Sequence, residues 1–255
     1  MTPRNNSVHN AFAILRLIST PGFDLSLAEM AERLGLSLAA VHRLVSTLQQ
    51  EGAVVRAGRN AYMLAPGLAE LGAAVDTTAV LYALAQPPVK RLVRRLGEVV
   101  HLGTFDGEMV TYLVKGKPRK KTISPTQEGT QLEAYSSGVG KVLLAYLPDG
   151  ELDQYLSDAP FVSFTDRTIT APNIMREALI EARKRGYAMD DEEVVPGLSC
   201  LAVPVLSHTG RAIASLSVSA ESKNFTETFK TEALATLKEE AKALSAALFG
   251  KQPDA

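Results

Sequence analysis

Residues able to do chemistry in this chain gather in two places. The first is Ser37–Gln50, SLAAVHRLVSTLQQ. Wound at about 100° per residue, Val41, Leu44, Val45 and Leu48 form one apolar stripe, and Ala39, Arg43, Ser46 and Gln50 lie roughly opposite it. His42 and Thr47 flank that second face, while Ser37, Ala39 and Ala40 keep its start small. Small residues permit close approach to a duplex. Arginine, histidine and hydroxyl side chains can then address base edges and phosphates. Just downstream, Arg56-Ala57-Gly58-Arg59-Asn60 would put Arg56 and Arg59 at a hairpin tip, suited to phosphate or minor-groove contact. The second place is the stretch 212–219. There Ile213, Ser215, Ser217 and Ser219 share one side of an alternating strand, and a row of hydroxyls can hydrogen-bond a carboxylate or carbonyl.

The surrounding sequence supplies elements to hold both. Ser26 followed three places later by Glu29 is a capping box. Leu27, Met30, Ala31 and Leu34 give the next helix one apolar face, Gly35 provides a left-handed stop, and Ser37 caps the helix that follows. Residues 53–55 and 61–64 can pair as a wing. Upstream, 7–19 reads as an amphipathic helix burying Val8, Ala11, Phe12, Leu15 and Ile18 or Leu17, ended by Pro21-Gly22. The whole N-terminal stretch reads as a winged helix-turn-helix.

Beyond it, Leu68, Leu71 and Val75 suggest a linker helix. Pro87-Pro88 should end any preceding helix, with a new one starting at Val89. The basic positions Lys90, Arg91, Arg94 and Arg95 read as solvated surface or a dimer rim, and the basic loop Lys115–Lys121 reads as a solvated, exposed turn. From residue 98 the pattern turns to strands: 99–105 and 109–114 flank Asp106-Gly107, a hairpin signal. Helices are expected at 137–147, 173–185 and about 226–248, and strands at 201–206 and 212–219. This mixture implies an α+β fold with a mainly antiparallel sheet. Three segments result: 1–65 as a DNA-binding domain, 66–88 as a helical linker, and 89–255 as a ligand-sensing domain.

Composition narrows the alternatives. The net charge is −1, so no global basicity advertises nucleic acid. Residues 1–65 nevertheless carry six arginines against four acids, a weak positive bias that a dimer would double. One cysteine, Cys200, rules out an intrachain disulfide framework, and the four histidines show no metal-ligand spacing. No cofactor is expected. No apolar run reaches the roughly 18 residues of a membrane span, and the first residues lack a signal-peptide core, so the expected location is cytoplasmic. The chain has no G-x-S-x-G elbow, P-loop or H-E-x-x-H motif, which argues against an enzyme. His101, on an alternating strand, reads as structural.

Five segments in order carry a family resemblance: LAEMAERLGLSLAAVHRLVSTLQQEGAV, GEVVHLGTFDG at 97–107, SSGVGKVLLAYLP at 136–148, RKRGYAMDDEEVVPGLSCLAVPV at 183–205, and ASLSVS at 214–219. From about residue 8 to 249 the chain resembles the IclR-type transcriptional regulators. The resemblance implies a homodimer or homotetramer on a palindromic operator in double-stranded DNA. It also implies a GAF-like, profilin-like domain that binds a small-molecule effector. By the same resemblance, Gly138, Val139, Asp190, Leu198, Cys200, Ser217 and Ser219 line the effector site, with Ser124 and Leu132 as a wall. The glycine-containing helix start at Ser137–Gly140 would cradle an anion. Asp190-Asp191-Glu192-Glu193 is a charge run of the kind that lines solvated loops, with only Asp190 implied as a ligand contact. A carboxylate there would favour ligands bearing a donor or a bridging water. Tyr135-Ser136-Ser137 departs from the family's alanine or threonine before that helix and would add bulk and polar groups to the pocket. Repression controlled by a carboxylic acid or related carbonyl compound is the expected function. The alternatives are a ligand-responsive activator of a catabolic operon and a metabolite sensor without DNA binding.

Overall fold

A computed structural model describes residues 3–20, 25–58, 61–120, 122, 124–158 and 161–250. The chain divides into two compact units, Met1–Asp76 and Thr77–Ala255.

In the first unit, α1 (Asn6–Ile18), α2 (Leu27–Leu34) and α3 (Leu38–Gln50) precede the antiparallel pair β1 (Val54–Ala57) and β2 (Ala61–Leu64), and α4 (Pro66–Ala73) follows. The expected capping box is formed: the Glu29 amide donates to Ser26 Oγ at 3.3 Å, and the Ser26 amide donates to Glu29 Oε2 at 2.8 Å. Gly35 stops α2 at φ 62°, in the left-handed region that favours glycine. Ser37 caps α3 by accepting from the Ala40 amide at 3.2 Å. Ile14, Ile18, Leu25, Met30, Ala31, Val41, Val45 and Val54 form the core. Two readings need correction. The buried line of α1 runs through Ile14 and Ile18, leaving Val8 and Phe12 each 54% exposed, because the helix is rotated about its axis from the expected face. The wing strand also runs further than expected: Arg56 pairs with Tyr62 within the ladder and Ala57 with Ala61. Arg56 is therefore a strand residue and not a tip residue. Arg59, Pro21 and Gly22 lie outside the described residues.

The second unit opens with α5 (Thr77–Leu96), which runs straight through Pro87 and Pro88. The prolines do not end this helix. Ala85, Pro88, Val89 and Leu92 are all buried in the main core, and that packing offsets the hydrogen bonds that two prolines cannot donate. The break in the helical stretch falls instead at Ala74–Asp76, between α4 and α5. Next come β3 (Val99–Phe105), β4 (Met109–Gly116), β5 (Gln131–Glu133), α6 (Gly138–Ala145), α7 (Asp149–Asp158), α8 (Pro172–Arg185), β6 (Ala188–Asp191), β7 (Leu198–Leu206), β8 (Ala212–Glu221) and α9 (Glu227–Phe249). The strands form one antiparallel sheet in the order β5-β4-β3-β8-β7-β6. Helices α5 and α9 cover one face through Val100, Leu102, Leu201, Val203, Leu216 and Val218. Helices α6, α7 and α8 build the other side, where Val110, Tyr112, Ala188 and Ala202 meet Val139, Val142 and Leu179. This is the expected α+β domain of GAF-like, profilin-like kind.

Alternation sorts the sheet residues. His101, Gly103, Ser215, Ser217, Ser219, Cys200, Ala202 and Asp190 fall on the α6 side by register. A bulge adjusts the edge of this face: Leu102 pairs with Val114 but Gly103 pairs with Tyr112, so Leu113 is the extra residue. Without it, Tyr112 and Lys115 would point to opposite faces. With it, both share the α6 side with His101.

Candidate DNA-reading face and effector site

On α3, Ala39, His42, Arg43, Thr47 and Gln50 are exposed, as is the cap Ser37, while Ala40 and Ser46 are half-buried. The Thr47 hydroxyl donates to the Arg43 carbonyl at 3.0 Å, so its remaining capacity toward a duplex is as an acceptor. The exposed strip is therefore Ala39–His42–Arg43–Thr47, with Ser46 at its margin. Arg56 is exposed beside it in sequence on β1.

In the second unit the register assembles most of the expected effector residues. Asp190 pairs with Cys200, and Cys200 with Ser219; Ala202 pairs with Ser217, and Ser217 with His101. Asp190, Ser217 and Ser219 are buried, with 3%, 2% and 5% of their surface exposed. The serines therefore do not face solvent. Cys200 Sγ lies 3.0 Å from Ser219 Oγ. Gly138 approaches this row from α6: a methyl group there would sit 3.4 Å from the Asp190 amide nitrogen and 3.6 Å from the Cys200 carbonyl oxygen. Val139 and Leu198 are buried nearby in the fold, Leu132 is half-buried on β5, and Ser124 is half-buried after β4.

Several features differ from expectation. The run 190–193 is not a solvated loop. Asp190 lies on β6, and Glu193, with 5% of its surface exposed, makes a buried ion pair with Lys141 of α6, itself 4% exposed. The Glu193 amide donates to Asp190 Oδ1 at 2.7 Å. Between them Glu192 adopts φ 64°, held by its carboxylate accepting from the Gly197 amide at 2.7 Å. Nor do Tyr135 and Ser137 bring loose polar groups. The Tyr135 hydroxyl donates to the Val162 carbonyl and accepts from its amide, both at 2.9 Å. Ser137 caps α6 by accepting from the Gly140 amide at 3.0 Å. Gly140, not Gly138, is the glycine that close packing demands, since a methyl there would lie 2.1 Å from the Ala134 carbonyl oxygen. The amides of Gly138 and Val139 have no hydrogen-bond partner among the described residues and remain available to an acceptor.

Residue types alone missed His101, Tyr112, Thr126, Lys115 and Lys141. His101 is buried at 2% exposure, its Nε2 lies 2.8 Å from Thr126 Oγ1, and its Nδ1 has no partner among the described residues. Its ring lies 4.6 Å from that of Tyr112, centroid to centroid. Burial and then the nearby Lys115 charge pull the imidazole pKa from 6.5 to about 3, so the ring is neutral. Burial raises Asp190 from 3.8 to about 7, against hydrogen bonds that favour its charged form. Burial, then the Asp190 charge, also pushes the Cys200 thiol upward, away from thiolate. The two basic clusters behave as surface. Arg91 forms a two-pronged bond to Glu240 at 2.7 and 2.6 Å, and a groove of about 950 Å³ between the clusters is lined by Lys90, Arg91, Arg94, Lys115, Lys117 and Arg119.

A winged helix-turn-helix in one chain with a polar-lined sensory domain defines a one-component, ligand-responsive transcriptional regulator. Comparison with known proteins agrees. Residues 7–58 match the IclR helix-turn-helix domain and residues 73–246 match the bacterial transcriptional regulator IclR C-terminal family. The chain belongs to the IclR family of transcriptional regulators. It is 33% identical over 242 residues to the HTH-type transcriptional regulator XynR of Escherichia coli, covering 91% of this chain and 96% of that one. It is 28% identical over 236 residues to the transcriptional repressor IclR of E. coli, covering 91% and 85%. The crystal structure of Thermotoga maritima IclR superposes with a TM-score of 0.65 at 31% identity, covering 96% of this chain and 99% of that chain. These relatives are regulators and not enzymes. Among the described residues, no single helix is long and apolar enough to cross a membrane.

Proposed function

We propose that this regulator is a repressor that acts in the cytoplasm as a homodimer or homotetramer on a palindromic operator. Its grip on DNA is set by a small carboxylic acid or related carbonyl compound bound beneath α6. One observation carries the effector reading: a buried polar face holds groups that find no hydrogen-bond partner among the described residues. These are the His101 Nδ1 and the Gly138 and Val139 amides, beside the Ser217, Ser219 and Asp190 side chains. Unmet hydrogen-bonding capacity in an interior is costly, and a ligand that supplied it would bind well. Gly138, Val139, Asp190, Leu198, Cys200, Ser217 and Ser219 are the proposed contacts, with Leu132 and Ser124 at the edge.

The half-protonated state of Asp190 near neutrality fits an acid ligand. A protonated carboxyl donates to an incoming carboxylate instead of repelling it. Ser37, Ala39, Ala40, His42, Arg43, Ser46, Thr47, Arg56 and Arg59 form the proposed DNA-contacting set. In a dimer the two α3 helices would enter successive major grooves about 34 Å apart. Residues 66–88 would pass the bias from the sensor at 89–255 to the reader at 1–65. The effector can shift operator affinity only by its own preference between the two arrangements. Repression is supported by the named function of the E. coli relative.

Selection of bound duplexes from a random-sequence library tests the reader: an inverted repeat is the expected product, and no enrichment would remove the DNA reading. Thermal shift against a panel of small acids tests the sensor. Ser217→Ala combined with Ser219→Ala should abolish the response while leaving operator binding intact, and an undiminished response would place the effector elsewhere.

A further inference from the structure

We propose that His101 is a hydrogen-bond donor to the effector, presenting Nδ1–H to a carbonyl or carboxylate oxygen, its tautomer fixed by a chain of hydrogen bonds that starts at Lys115. This inference rests on the effector reading above and specifies one contact within it.

The chain has a direction. Lys115 Nζ can only donate; it donates to the Thr126 carbonyl and, at 2.6 Å, to Ser124 Oγ. Ser124 Oγ, an acceptor from Lys115, can turn its own proton toward Thr126 Oγ1 at 3.4 Å, which leaves the Thr126 proton for His101 Nε2, 2.8 Å away. An imidazole that accepts at Nε2 while neutral carries its proton at Nδ1. Electrostatics selects the same form. The Lys115 charge acts on His101 from the Thr126 side and favours the ring's lone pair facing it, with the N–H directed away. Nδ1 is buried and has no partner among the described residues, on the face shared with Tyr112 and Ser217. The bulge at Leu113 is what brings Lys115 onto this side of the sheet.

The consequence is a selection rule. With His101 a donor and the Gly138 and Val139 amides also donors, the site favours ligands rich in acceptors. A 2-oxo acid meets these donors with acceptors alone, whereas the hydroxyl of a 2-hydroxy acid can accept from one of them but brings a proton that needs an acceptor of its own.

The tautomer can be read without any ligand. In full-length protein labelled with ¹⁵N-histidine, long-range proton–nitrogen spectra distinguish protonated from bare ring nitrogens, and His101→Asn assigns the signal. The expected result is protonated Nδ1 with bare Nε2, shifting toward a mixture in Lys115→Met; protonated Nε2 with bare Nδ1 overturns the proposal. The ligand arm uses pyruvate, 2-oxobutyrate and 2-oxoglutarate, each beside its 2-hydroxy counterpart. Acids that stabilise the parent should bind His101→Leu about tenfold more weakly or worse. His101→Asn, whose amide nitrogen sits where Nδ1 was, should recover most of the loss. If His101→Leu binds like the parent while Ser217→Ala with Ser219→Ala does not, the site stands and the histidine's role falls. If the serine pair also binds like the parent, the effector reading itself falls.

Discussion

Lys141 of α6 and Glu193 of the turn after β6 form an ion pair sealed inside the sensory domain, with side chains only 5% and 7% exposed. Lys141 Nζ also donates to the Met189 carbonyl at 3.2 Å, whereas Glu193 Oε2 has no partner among the described residues. The pair thus ties the helix whose first amides are free to the turn that follows Asp190 and β6.

Breaking this pair from one side should be far worse than removing it. Lys141→Met would strand a buried carboxylate and should cost about 3–5 kcal/mol in urea denaturation. Lys141→Met combined with Glu193→Leu should recover most of that loss. A double variant no more stable than the single would mean that the pair contributes attraction well beyond its desolvation cost.

Asp190 and His101 should impose opposite pH trends on stability. Asp190 titrates at 3.8 when unfolded and at about 7 when folded. Its contribution is fully present below 3.8 and is lost as pH rises through 7, because the folded protein holds the proton longer. His101 titrates at 6.5 unfolded and about 3 folded. Its contribution is present above 6.5 and is lost as pH falls toward 3. Between roughly pH 4 and 6.5 the two trends oppose, each worth at most about 1.4 kcal/mol per pH unit. Relative to the parent, the stability of Asp190→Asn should climb more steeply with pH across that window, and that of His101→Asn less steeply. Urea titrations at several pH values read both slopes, and parallel curves for all three proteins would contradict the assignment.

The two glycines of α6 should separate folding from binding. Gly140→Ala drives a methyl group to 2.1 Å from the Ala134 carbonyl oxygen and should lower stability by about 3 kcal/mol or more. Gly138→Ala meets nothing closer than 3.4 Å and should leave the melting temperature nearly unchanged, while crowding an acid held at the Gly138 and Val139 amides. Calorimetry on both variants with a stabilising acid checks the pair of outcomes.

Arg43 is exposed on α3, and Arg43→Ala should weaken binding to a selected operator. If the side chain contacts a phosphate, the slope of log affinity against log salt should fall in magnitude by about one. If it reads a base edge, discrimination at one position should relax by about 1–3 kcal/mol while the slope holds. Unchanged affinity at physiological salt would remove Arg43 from the reading face.

The reader was legible because its signals are local: Ser26 with Glu29, Gly35, and the apolar spacing of α2 and α3 each act within a few residues. Arg56 was misplaced because strand register, not composition, decides where a hairpin turns. Ser217 and Ser219 could be set on one face by alternation, yet their burial depends on α6 lying over them. His101 and Lys115 were invisible for a related reason. They meet only through strand pairing, and plain alternation from Tyr112 would have put Lys115 on the other face; the bulge at Leu113 keeps it on this one. Pro87 and Pro88 misled because tertiary packing outweighed a local rule. The acidic run at 190–193 misled because a lysine 52 positions from Glu193 reaches in to neutralise it.

The unpaired Leu113 shows that the bulge absorbs one residue without disturbing what faces the sensory chamber. Deleting Leu113 would leave Tyr112, Val114 and Lys115 in plain alternation, each still opposite its present partner on β3 and on its present side. The strand can thus lose one codon at this point and keep Lys115 beside His101, whereas a codon lost or gained elsewhere in it, with no bulge to absorb the change, would turn the lysine away.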